Sequence, residues 1–80
     1  MAVVVVPTGL RALTGAERVT LAAPNVLGLL RALEVRFPGF GETLGARFAV
    51  AIDGDIHGNA DYEPLEDDSE VTFLPPIAGG

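Results

Sequence analysis

The run Ala2-Val3-Val4-Val5-Val6, closed by Pro7, constrains the fold of this chain more than any other segment. β-Branched side chains lose rotamer freedom in a helix and fit a pleated surface, so the run predicts a strand. It lacks polar alternation, which predicts a strand inside a sheet and not at its rim. A chain of 80 residues has room for one domain, so this strand must share a core with every other apolar segment. Apolar residues make up 49% of the chain. That is enough to fold without a metal or disulfide, with an expected stability of roughly 4–12 kcal/mol.

The remaining elements follow from periodicity. Thr8 to Gly15 reads as a loop with one helical turn over Leu10 to Leu13, and Glu17 to Leu21 alternates polar and apolar as a half-buried strand. It is expected to form a hairpin with the first strand. Pro24-Asn25 opens a helix with Asn25 as its N-cap, and Val26, Leu29, Leu30, Leu33 and Phe37 form one apolar stripe, with Arg31 and Glu34 on the other side. Gly28 within this helix costs about 1 kcal/mol relative to alanine. Pro38-Gly39 ends the helix, and Phe40 to Leu44 suits a short second one. Phe48, Val50 and Ile52 alternate with Ala49 and Ala51, Asp53-Gly54 is a turn, and Ile56 to Tyr62 reads as irregular chain or a short edge strand. Glu63 to Asp68 suits a turn with Leu65 tucked inward. Val71 to Leu74 is the last strand, ended by Pro75-Pro76. One helix across one face of a sheet is the economical solution, with the first and last strands parallel at its centre. This is an α+β, β-grasp arrangement of four to five strands. Residues 1–76 are its domain and residues 77–80 a flexible C-terminal diglycine tail.

Composition excludes several chemistries. The chain has no cysteine, hence no disulfide scaffold, thiolate zinc site or cysteine nucleophile. No segment is long enough to span a bilayer, and Met1 to Pro7 lacks the pattern of a signal peptide, so a cytoplasmic protein is expected. All five basic residues are arginines, and from Asp53 onward eight carboxylates stand with no basic side chain. Such a surface repels nucleic acid and anionic membrane and attracts a basic protein surface. These carboxylates are expected to surround the docking region of the C-terminal third.

The tail carries the candidate chemistry. Pro75 and Pro76 favour an extended exit from the folded body, and the side chains then shrink through Ile77, Ala78, Gly79 and Gly80. Such a tail can thread a narrow channel, and a carboxylate on glycine has no Cβ to hinder attack. Because strand side chains alternate, Thr72 and Leu74 should point away from the helix if Val71 and Phe73 point towards it. Leu74 with Pro75 and Pro76 would then form an apolar docking patch beside the tail.

The ending Phe73-Leu74-Pro75-Pro76-Ile77-Ala78-Gly79-Gly80 resembles that of the MoaD/ThiS-type sulfur carriers, closest to the small subunit of molybdopterin synthase. Leu10-Arg11-Ala12-Leu13-Thr14-Gly15, Arg36-Phe37-Pro38-Gly39 and Pro64 to Val71 match in family order. The resemblance implies a protein not catalytic alone. An E1-like, ATP-using enzyme adenylates the Gly80 carboxylate, and a persulfide donor converts it to a thiocarboxylate. An acceptor such as the molybdopterin synthase large subunit takes the sulfur for molybdenum-cofactor synthesis. Gly80 and Gly79 are then the reactive end, and Leu74, Pro75, Pro76, Ile77 and Ala78 meet the partner. No cofactor is permanently bound; ATP is used by the activating enzyme. The absence of lysine removes internal amines that the activated end would acylate. Three alternatives remain open: a carrier for cysteine, thiamine or a sulfur-containing natural product, towards which Pro7 to Gly15 leans; a ubiquitin-like protein modifier; and a binding module with an inert tail.

Other candidate sites carry less. Asp53 to Asp61 resembles the start of a calcium loop, but His57 holds its fifth place and Pro64 its twelfth, where a bidentate glutamate is needed. No metal site is expected. His57 is read as a surface loop residue, Ser69 as part of the turn before the last strand, and Gly39, Gly41 and Gly45 as helix-end punctuation.

Overall fold

The computed structural model describes residues 1–45, 48–58 and 61–74. Five strands, β1 (Ala2–Val5), β2 (Arg18–Leu21), β3 (Ala49–Ile52), β4 (Asp55–His57) and β5 (Glu70–Leu74), form one sheet in the order β2-β1-β5-β3-β4. Three helices accompany them: α1 (Arg11–Thr14), which continues a 3₁₀ turn at Thr8–Leu10, α2 (Val26–Arg36) and α3 (Phe40–Leu44). β1 runs parallel to β5 and antiparallel to β2, and β3 is antiparallel to both β4 and β5. With α2 across one face, this is the expected ubiquitin-like β-grasp fold.

Alternation sends Val4, Val19, Val50, Ile52, Val71 and Phe73 to the helix face, where Val26, Leu29 and Leu33 of α2 meet them, all buried. Burying each such side chain contributes about 1.5–3 kcal/mol. Phe40 of α3 is also fully buried, its ring edge-on to Phe73 at 6.1 Å, while Phe48 meets the same ring at 5.6 Å. Phe73 is thus held by two aromatic neighbours, an arrangement worth about 0.5–1.5 kcal/mol per pair beyond burial.

Asn25 caps α2 as the sequence predicts: its backbone is extended and its Oδ1 accepts from the Gly28 N–H at 2.8 Å. The first turn is also stapled to the segment before β5. Val26 N–H donates to the Glu63 carbonyl, Leu27 N–H to that of Asp61, and Leu65 N–H to that of Pro24. The first two satisfy amide groups that a helix start leaves unpaired, and the third ties down Leu65, which packs against the core as expected. Gly28 has a steric reason: a Cβ there would stand 3.1 Å from Pro24 Cδ and 3.2 Å from the capping Asn25 Oδ1.

At the other end of α2 the chain turns through Gly39, at φ +96°, into α3. The Glu34 carboxylate spans this joint, accepting from Gly39 N–H at 2.7 Å and Gly41 N–H at 3.0 Å. The Gly39 bond first, then the Gly41 bond, hold its pKa below the ordinary carboxylate value, outweighing a small opposing effect of desolvation. The turn between β3 and β4 has positive φ at both Asp53 (50°) and Gly54 (91°), the combination of a type I′ hairpin turn. Ser69 is buried, its hydroxyl accepting from Glu66 N–H in the turn before β5.

Asn25→Ala is expected to lower stability by about 1 kcal/mol, or about 4–8 °C in melting temperature, because the Gly28 N–H loses its acceptor. Thermal unfolding followed by circular dichroism measures this; an unchanged melting temperature would mean that the staple to residues 61–65 fixes the helix start without the cap.

Candidate functional site

β5 is flanked on both sides, by β1 and β3, so the strand that leads into the tail lies in the middle of the sheet. Phe73 points into the core and Leu74, the next residue, points to the opposite face, half-buried, as alternation requires. Pro75, Pro76, Ile77, Ala78, Gly79 and Gly80 lie outside the described residues.

Leu74 does not stand alone on its face. The sheet registers place one row of side chains across the face away from α2: Arg18, Val5, Thr72, Ala51 and Ile56, with Leu74 and its cross-strand partner Ala49 beside it. Ile56, on the edge strand, is 59% exposed, and Val5, Ala51, Thr72 and Leu74 are half-buried. No described helix covers these residues, and the face is predominantly apolar. A contiguous apolar sheet face of this kind, with an exposed isoleucine beside half-buried valine and leucine, is a candidate recognition surface.

The far side of this face carries one ion pair. Arg18 Nη1 lies 3.4 Å from Glu70 Oε2, reaching across β1 with both groups largely exposed. Such a pair contributes about 0–1 kcal/mol and acts chiefly as a polar border to the apolar row. Sequence reasoning missed Val3, Val5, Ala51 and Ile56 as part of this surface. The signal was present in the register: a period of two assigns alternate valines of β1 to the uncovered face once only one helix is available to cover the sheet.

The charge distribution corrects an expectation. β5 begins at Glu70 and ends at Leu74, so the acidic residues at its start lie about 13 Å along the strand from the tail. Glu70 N–H donates to Asp53 Oδ1 at 2.8 Å and the Glu70 carbonyl accepts from Asp53 N–H, while Asp67 lies 3.2 Å from the Met1 amine. Asp53, Asp67 and Glu70 therefore gather at the end of the sheet opposite the tail and do not ring Leu74. The hairpin turn and the parallel β1–β5 pairing bring them there. At the tail end stands Arg11 instead, its Nε donating to the Val6 carbonyl at 3.2 Å and its guanidinium 3.6 Å from Glu17.

His57 also departs from expectation. It ends the edge strand β4, paired with Val50, and is half-buried, with Nδ1 3.7 Å from Glu63 Oε1. Its single carboxylate contact joins the edge strand to the segment that staples α2. Among the described residues no three His, Cys, Asp or Glu side chains converge to hold a metal ion, and no helix is long and apolar enough to cross a membrane.

Comparison with known proteins adds to this geometry. The model of the ThiS family matches residues 4–80, which takes in every element but the first half of β1 and runs through Gly80. No curated protein matches the chain. Among solved structures, a chain of the Amycolatopsis orientalis BexX/CysO complex is 25% identical, with a TM-score of 0.84 over 100% of both chains. The Mycobacterium tuberculosis CysO antigen is 22% identical, with a TM-score of 0.78 over 96% of this chain and 100% of that one. Small archaeal modifier protein 1 from Methanosarcina acetivorans is 21% identical, with a TM-score of 0.75 over 99% of this chain and 95% of that one.

Leu74→Glu and Ile56→Lys are each expected to leave the domain folded, melting within about 3 °C of the parent, because neither side chain reaches the core. Each should weaken a partner enzyme that docks on this face by about tenfold or more. Calorimetric titration against that enzyme measures the effect, and unchanged affinity for both variants would remove the face from the interface.

Proposed function

The chain belongs to the ThiS family of ubiquitin-like sulfur carriers, and from that premise we propose that Gly80 is its working residue, cycling between carboxylate and thiocarboxylate. The observation that carries this reading is that the family match runs through Gly80 while the strand that roots the tail is fixed in the centre of the sheet.

The chemistry divides between carrier and partners. In an E1-like adenylating enzyme a Gly80 carboxylate oxygen attacks the α-phosphate of ATP, pyrophosphate leaves, and a mixed anhydride with AMP results. The terminal sulfur of a donor persulfide then attacks the carbonyl carbon and AMP leaves. A thiol cleaves the remaining sulfur–sulfur bond and releases the thiocarboxylate. That sulfur is ionised near neutral pH, as a low-pKa thiol would be, and supplies the nucleophile that a chain without cysteine otherwise lacks. The carrier contributes position: Leu74, Pro75, Pro76, Ile77 and Ala78 guide the last glycines into each partner's channel, and the apolar face docks the body. Residues 1–76 act as the handle and residues 77–80 as the arm that carries the reactive end.

For the acceptor, the Leu74-Pro75-Pro76 stretch and the length of the chain support the large subunit of molybdopterin synthase. This chain would then be the small subunit of that enzyme. A second reading is a carrier for another sulfur-requiring acceptor, such as one forming cysteine, thiamine or a natural product. The likeness to a chain of the BexX/CysO complex, which spans both chains in full, supports it. Isolating the tagged carrier with its bound enzymes distinguishes the two, since a molybdopterin synthase large subunit supports the first and any other acceptor the second.

Deleting Gly80, or adding one residue after it, is expected to abolish sulfur transfer to the acceptor and leave the melting temperature unchanged. Transfer that survives the added residue would contradict the assignment of the terminal carboxylate. A sharp fall in stability on deletion would mean that the tail forms part of the folded body.

A further inference from the structure

The joint between α2 and α3 is closed by one side chain. Glu34 projects from α2 and binds two backbone N–H groups, Gly39 at the turn and Gly41 inside α3. α3 is five residues long and lies outside the sheet, too short to persist alone. It is anchored by this carboxylate, by the Phe40 N–H bond to the Phe37 carbonyl at 3.0 Å, and by the buried Phe40 with Leu44 packed beside it on the core. Phe40 in turn meets Phe73, with Phe48 on the same ring, and Phe73 immediately precedes Leu74, where the chain leaves the sheet. A continuous chain of contacts therefore runs from Glu34 through α3 and Phe40 to the root of the tail.

We propose that Glu34 is a positioning residue for the reactive tail: by fixing α3 it holds Phe40 against Phe73, and so steadies the end of β5 at Leu74, where the tail is rooted. The inference rests on the reading of Gly80 as the group that partners modify. Its physical logic is that an arm delivers its end with a probability set by how firmly its root is held. The docking face lies on the opposite side of the sheet from Phe40, so loosening α3 loosens the root without changing docking. The space around Gly41 supplies an independent handle. A Cβ at that position would stand 3.2 Å from Glu34 Oε1, so alanine there pushes the carboxylate by a few tenths of an ångström while favouring the helix.

The test uses the full chain as Glu34→Gln and, separately, Gly41→Ala. Amide hydrogen exchange measures the root directly: in both variants the amides of residue 41 and Leu74 should exchange about tenfold faster, while β1 and β2 keep their protection. Steady-state activation by the adenylating enzyme should show kcat reduced about threefold to tenfold at an unchanged KM, which a purely structural role would not produce in a folded variant. If residue 41 exchanges faster while Leu74 exchange and kcat stay at parental values, Glu34 serves only the α2–α3 joint and the proposal is overturned. A rise in KM alone would likewise overturn it, because that places the effect in docking. If the parent chain is not activated at all, the sulfur-carrier assignment fails, and Leu74 exchange alone decides whether Glu34 governs the tail root.

Discussion

The parallel pairing of β1 with β5 is the constraint on which the rest of this structure depends. It joins Val3 to Glu70 and Val5 to Thr72, positions far apart in sequence, and ordering the long intervening chain is the largest entropic demand of the fold. The pairing places the strand that leads into the tail between two partners, so the tail departs from the most constrained part of the molecule. A tail rooted on an edge strand would fray with it. The β-branched run at the start of the chain therefore steadies the root of the tail at the other end, because it forms the wall against which β5 is built.

The same pairing divides the molecule by role. On one face α2 and the aromatic contacts of Phe73 with Phe40 and Phe48 supply most of the buried surface. On the other, the half-buried Val5, Ala51 and Leu74 and the exposed Ile56 form an apolar surface that no described helix covers. The carboxylates at the start of β5 keep the far end soluble. In the proposed function, backbone atoms of Gly80 supply the reacting group and the folded body supplies its address.

Much of this was legible in the sequence. Alternation in Val71 to Leu74 gave the outward direction of Leu74, the stripe on α2 gave its buried side, and Asn25 read correctly as a cap because side-chain capping is a local interaction. What escaped was non-local. The valine run read correctly as a strand inside the sheet, with β1 between β2 and β5, but hydropathy did not show that its alternate residues Val3 and Val5 are only half-buried. The acidic third appeared to surround the tail because neighbours in sequence were taken as neighbours in space, and the hairpin at Asp53-Gly54 sends them to the opposite end. Glu34 looked like a solvent-facing charge. Its two backbone partners become visible only once the turn through Gly39 folds α3 back onto α2. Gly28, a cost by helix propensity, has its reason in the approach of Pro24 and Asn25, which periodicity does not encode.

The central claim is that a backbone carboxylate, carried on a rigidly rooted arm, is the reagent. Intact-mass spectrometry of the unmodified chain, incubated with an adenylating enzyme, ATP and a persulfide sulfur donor, tests it most directly. The account predicts that one oxygen is replaced by one sulfur and that fragmentation locates it in Gly80. A mass that stays unchanged under conditions in which the same enzyme loads another ThiS-family carrier, or sulfur found anywhere but the last residue, would contradict it.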